Sequence, residues 1–174
     1  MKPIAAALCT LEPLVTAHAG EMFAVLGDPA IYEFENAPPP SQSWLAERYA
    51  KLESRRSGDG TEQWLNWVVR LPGGELAGYV QATVESCGVA FVAYELASKH
   101  WRRGIGSCAV GAMLAELASG YAVHTFLAVL KARNFRSLAL LHHLGFMPAT
   151  PELVVNAGAE TDECVMQRSA AETG

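Results

Sequence analysis

The 174-residue chain predicts an α+β domain, a mixed and mostly antiparallel sheet flanked by helices on both faces. Three observations carry that prediction. The middle of the chain, residues 64–96, is rich in β-branched and aromatic residues and is cut by two turn clusters, Pro72-Gly73-Gly74 and Ser86-Cys87-Gly88. Helical spacing of apolar residues flanks this block on both sides. The last third then alternates helix and strand, so hairpins and crossovers must share one sheet.

The elements follow in order. Residues 8–14 read as a strand, and residues 17–26 as a helix with Met22, Phe23 and Leu26 on one face. Asp28-Pro29 breaks that helix. Ser41 or Ser43 can cap a second helix carrying Trp44, Leu45, Tyr49 and Leu52, ending near Ser57–Gly60. Three hairpin-linked strands come next, over residues 64–70, 76–85 and 89–96. A helix over 104–118, a strand over 123–130 and a helix over 134–144 complete the crossover part, with Gly145 as the stop. Residues 146–147 and 164–167 predict two last strands.

Composition bounds the function. At 51% hydrophobic and 18% charged, the chain is neither disordered nor fibrous, and residues 1–174 are expected to form a single domain. No apolar run approaches the roughly 20 residues of a membrane span, and the apolar stretch after Lys2 is shorter than a signal core. A cytoplasmic location with no membrane partner is therefore expected. The four cysteines (Cys9, Cys87, Cys108 and Cys164) are scattered without a CxxC pair, which predicts free thiols and no metal. A net charge of −5 argues against nucleic acid as a partner.

The distribution of charge says more than its sum. Between Lys99 and Arg136 stand six basic residues against one acid, Glu116. An anionic ligand and a solvated basic face both fit that excess. The loudest segment lies inside it: Trp101-Arg102-Arg103-Gly104-Ile105-Gly106-Ser107, between a strand and a helix. Glycines let backbone approach a ligand closely, and a helix start offers free N–H groups to phosphate. A dinucleotide fingerprint fits less well. Seven residues separate the strand from Gly104, and residues 124–129 hold no acid where that fold needs one.

Residues 96–107 resemble the acetyl-coenzyme A loop of the GCN5-related N-acetyltransferase (GNAT) superfamily, and most closely the branch of ribosomal-protein N-terminal acetyltransferases. Asn134-Phe135-Arg136-Ser137 with Leu144-Gly145-Phe146 resembles a second motif of the family. Leu11-Glu12-Pro13-Leu14 and Asp28-Pro29 resemble features of the branch, so the likeness runs from about Leu8 to Arg168. It implies a GNAT-like sheet and transfer of an acetyl group from acetyl-CoA to a primary amine, directly and without a metal. The acceptor would be a small cationic amine or a peptide N-terminus, and the protein a monomer or homodimer.

The resemblance also implies site residues. Arg102, Arg103, Gly104, Ile105, Gly106 and Ser107 would hold the pyrophosphate, Leu96 and Ala97 the pantetheine arm, and Asn134 and Ser137 a neighbouring part of the coenzyme. The Leu96 N–H would serve as oxyanion donor. The family's usual early-strand Glu is missing from Val89-Ala90-Phe91-Val92, which leaves Glu95 as the candidate base and Glu85 as second choice. The family's general-acid Tyr position is Leu141. Glu33 and Glu35, beside Tyr32, Phe34 and Pro38–Pro40, are expected to attract the acceptor's positive charge. A catalytically silent acyl-CoA sensor on the same fold is the competing reading.

Overall fold

The computed structural model describes residues 1–170. Eight strands form one sheet in the order β1-β2-β3-β4-β5-β6-β8-β7. They are β1 (Ile4–Ala5), β2 (Thr10–Pro13), β3 (Glu62–Arg70), β4 (Leu76–Glu85), β5 (Val89–Leu96), β6 (Thr125–Lys131), β7 (Met147–Pro148) and β8 (Glu163–Ser169). Every neighbouring pair is antiparallel except β5 and β6. The helices are α1 (Ala19–Val25), α2 (Gln42–Leu52), α3 (Ile105–Tyr121), α4 (Phe135–His143) and α5 (Pro151–Asn156).

Strand alternation sends successive side chains to opposite faces, and each face has its own core. On one face Trp67, Val80, Ala82 and Val92 are buried together with Ala109, Val110 and Met113 of α3 and Leu141 of α4. On the other, Val68 packs with Met22 of α1 and with Leu45 and Tyr49 of α2. Burying each of the Val, Leu and Met side chains among these stabilises the fold by about 1.5–3 kcal/mol.

The two hairpin turns and the limits of β4 and β5 agree with the sequence reading. The differences have local causes. The second helix stops at Leu52 rather than near Ser57–Gly60 because Arg55 adopts φ 60° and Arg56 bridges back to Gln63. Asp59 then accepts from Ser57 and Thr61 and holds the intervening turn. The first strand is shorter than 8–14, since the chain reverses between Ala6 and Cys9 to pair β1 with β2. Helix α5 was not expected from the sequence. Its signal was there, a Thr150 cap followed by Pro151 in the first turn.

One contact shapes the site above all. A Cβ on Gly78 would lie 2.0 Å from the Glu95 carbonyl oxygen. Only glycine lets β4 press this closely on the end of β5.

Candidate active site

Strands β5 and β6 run side by side only from Val89↔Thr125 to Phe91↔Leu127, then diverge. The outer half of β5 thus has a free edge. Ala97 N–H donates to Ala77 C=O on the β4 side. The antiparallel pattern alternates, so Leu96 turns its own N–H to the open edge. Its carbonyl accepts from the Trp101 indole at 2.8 Å. The gap opens into a cavity of about 530 Å³.

At one end of this cavity stands the start of α3. Gly104 is its N-cap at φ 76°, with no side-chain cap, and Arg102 also has positive φ (58°). The first N–H groups of α3 are left without a side-chain partner, which is the arrangement that accepts a phosphate. Leu96, Arg102, Gly104, Gly106, Ser107, Asn134 and Ser137 all border the cavity. Ala97, Arg103 and Ile105 do not border it: Ala97 and Ile105 are turned into the core, and the Arg103 side chain is exposed. Asn134 caps α4 by accepting from Ser137 N–H at 3.1 Å, so its side-chain oxygen has a structural task within the site.

A second cavity, of about 370 Å³, lies on the α2 side of the sheet. Glu95 and Tyr94 border both cavities. The Glu95 carboxyl is pushed above the usual carboxylate range, first by burial, against the opposing effect of the Tyr79 hydroxyl, and further by the Glu35 charge. Tyr79 is its cross-strand partner. A carboxylate raised in this way, at a junction of cavities, suits proton abstraction. Glu85 pairs with Glu62 at the far end of β4 and borders neither cavity.

Sequence reasoning missed Tyr94. Its hydroxyl lies 2.8 Å from Ser137 Oγ, and burial pushes the phenol up to about 12, so it keeps its proton at neutral pH. Leu141, where the resemblance looks for a tyrosine, is in the core. The only advance signal for Tyr94 was its place beside Glu95. His100, also unassigned, borders the larger cavity. It is buried, neither ring nitrogen has a hydrogen-bond partner, Nε2 lies 3.9 Å from the Glu75 carboxylate, and burial pushes its pKa down.

The charge asymmetry is partly internal. Arg70 takes Glu12 and Glu21, Asp28 accepts from the Ala30 and Ser98 N–H groups, and Glu33 pairs with Arg136 at 2.6 Å. Glu33 borders neither cavity. Glu35 borders the smaller one. On the basic side Lys99 pairs with Glu75, and Lys131 with Glu160, Asp162 and Glu163. Arg102, Arg103 and Arg133 have no ion pair among the described residues. Among those residues no cluster suited to a metal is found, and no helix is long and apolar enough to cross a membrane.

Solved structures share this architecture. The ribosomal-protein-S5-alanine acetyltransferase of Vibrio fischeri aligns over 99% of this chain and 98% of its own, at a TM-score of 0.77 and 17% identity. The ribosomal L7/L12 alpha-N-protein acetyltransferase RimL, in complex with coenzyme A, aligns over 96% and 97%, with a TM-score of 0.81 and 15% identity. A spermidine N-acetyltransferase SpeG chimera from Vibrio cholerae and hSSAT aligns over 94% and 96%, with a TM-score of 0.75 and 20% identity. Identities this low speak for the fold alone. No curated protein sequence matches the chain. The model of the acetyltransferase (GNAT) domain matches residues 9–147, most of the chain, and the protein belongs to that family of acetyltransferases.

Proposed function

We propose that the protein transfers the acetyl group of acetyl-CoA directly to a primary amine, on a small molecule or a peptide N-terminus. The observation that carries this is the placement of Glu95 and Tyr94 where the two cavities meet. Acetyl-CoA occupies the larger cavity, with its pyrophosphate on the uncapped start of α3 and Arg102 beside it. The pantetheine arm runs along the free edge of β5. The acceptor enters through the smaller cavity, where Glu35 draws its ammonium.

The amine nitrogen attacks the thioester carbonyl carbon, the C–N bond forms and the C–S bond breaks. The Leu96 N–H supports the oxyanion. Of the two protons the ammonium sheds, one leaves to solvent through Glu95. The other also passes to solvent, while Tyr94 protonates the departing thiolate and is itself reprotonated from solvent, so that one proton is released in all. Proximity and orientation supply most of the remaining acceleration.

The test is release of free thiol from acetyl-CoA over a panel of primary amines, paired with calorimetric binding of coenzyme A. Turnover with at least one amine, lost in Glu95→Gln, is the expected result. Binding of coenzyme A with no thiol release from any amine would make the protein a sensor.

A further inference from the structure

The smaller cavity is lined by side chains of opposite charge, Glu35 and Arg48. Burial, and then the charge of Glu163, raises the Glu35 carboxyl, with Lys131 opposing. Arg48, from α2, borders the same cavity. It has no carboxylate within ion-pair distance among the described residues, and its guanidinium lies 5.7 Å from the centroid of the exposed Trp44 ring.

The adjacent Tyr49 adds an independent sign. It is only 3% exposed, it borders the cavity, and its hydroxyl is buried without any partner. Leaving a hydroxyl in that state costs about 1–3 kcal/mol. Burial raises the phenol well above its usual value, so at neutral pH it is a donor. A donor with nothing to donate to, next to a cation that has no ion-pair partner among the described residues and feels only the longer-range charge of Glu95, asks for an anionic acceptor. Asn66 and Gln81 also line the cavity and add polar groups to it.

We propose that the acceptor amine also carries a carboxylate, which Arg48 and Tyr49 hold while the amine lies between Glu35 and Glu95. This rests on the transferase reading for what the amine does, but not for what the cavity binds. The selected class is amino-acid-like, zwitterionic before reaction, in place of a polyamine. Arg48 can engage a carboxylate with two parallel N–H groups, while Trp44 stacks on the guanidinium from outside.

Binding tests the subsite without turnover. The full chain, saturated with coenzyme A, is titrated calorimetrically with α- and ω-amino acids and with the carboxamide of each. Wild-type protein binds the acids at least about tenfold more tightly than the matching amides, as a charge-assisted contact should. In Arg48→Gln the ratio falls toward one. Tyr49→Phe lowers it in part, and Arg48→Lys retains part of it. Melting curves confirm that each variant folds. Equal binding of acids and amides, no binding of any acid, or a ratio indifferent to Arg48→Gln overturns the assignment. Acids that bind with the expected ratio yet release no thiol from acetyl-CoA leave the subsite standing and remove the transferase reading. Plain alkylamines that turn over as well as the acids keep the transferase and remove the subsite. Dipeptides with Asp or Asn second distinguish the source of the carboxylate, a peptide side chain or a free amino acid.

Discussion

The Arg136 guanidinium sits 2.6 Å from the Glu33 carboxylate, joining two residues 103 positions apart. It also lies 4.4 Å from the centroid of Trp101 and 5.1 Å from that of Phe34. Helix α4, the loop before α3 and the α1–α2 connection thus meet at one cation, and Arg136, Trp101 and Phe34 all border the larger cavity.

That meeting predicts which substrate responds to mutation. Arg136→Ala raises KM for acetyl-CoA several-fold, since it removes a cation and the stack between two rings. Glu33→Gln has a smaller effect, within about fivefold, because an exposed ion pair contributes about 0–1 kcal/mol. Both act on the coenzyme KM. Steady-state kinetics with each substrate varied in turn check this, and an effect confined to the amine KM contradicts it.

Glu95→Gln lowers kcat about 10²–10⁴-fold, the usual loss for a positioned base. It also stabilises the protein at neutral pH. The folded-state pKa of Glu95 lies above the ordinary carboxylate value because the site buries it. Its contribution to stability is therefore fully present at low pH and is lost as pH rises through the folded pKa. Removing the charge raises Tm near pH 7, by about 2–4 °C for each kcal/mol. The gain vanishes below pH 4, and melting curves across pH read both limbs.

The glycine loop before α3 is expected to respond unequally to substitution. Arg102→Ala weakens coenzyme A binding more than Arg103→Ala, because only Arg102 borders the cavity, and it flattens the fall of affinity with salt. Gly104→Ala weakens binding and also lowers stability by about 1–2 kcal/mol, since φ 76° is unfavourable for a residue with a Cβ. Titrations at low and high salt, each beside a melting curve, separate the two effects.

Asp28 links the two sides of the site. Its carboxylate accepts from Ser98 N–H at 2.6 Å and from Ala30 N–H at 3.0 Å, and the Ser98 contact first of all holds its pKa below the ordinary value. Asp28→Ala costs about 1–2 kcal/mol at neutral pH. The sign is opposite to that of Glu95. Stability from a lowered carboxyl is present above its unfolded pKa and lost as pH falls through the folded one. The gap between wild type and variant accordingly closes below about pH 3.9, which Tm measured at pH 7 and pH 3 tests.

Local chemistry made much of the fold legible in the residues alone. The turns at Gly73-Gly74 and Gly88, the Ser41 and Asn134 caps and the glycine loop before α3 are decided within a few residues, and strand alternation follows from the pleat. What the chain does with its charges was decided elsewhere. Glu33 meets Arg136, Glu12 meets Arg70, and Asp28 meets Ser98 across 103, 58 and 70 positions, so the sequence alone could not tell the engaged Glu33 from Glu35. Tyr94 enters the site because β5 parts from β6 after Phe91, and Tyr49 stands unpartnered because α2 lies over the opposite face of the sheet. Pairing, burial and the free strand edge depend on which distant segments are brought within a few ångströms, and only tertiary packing brings them there.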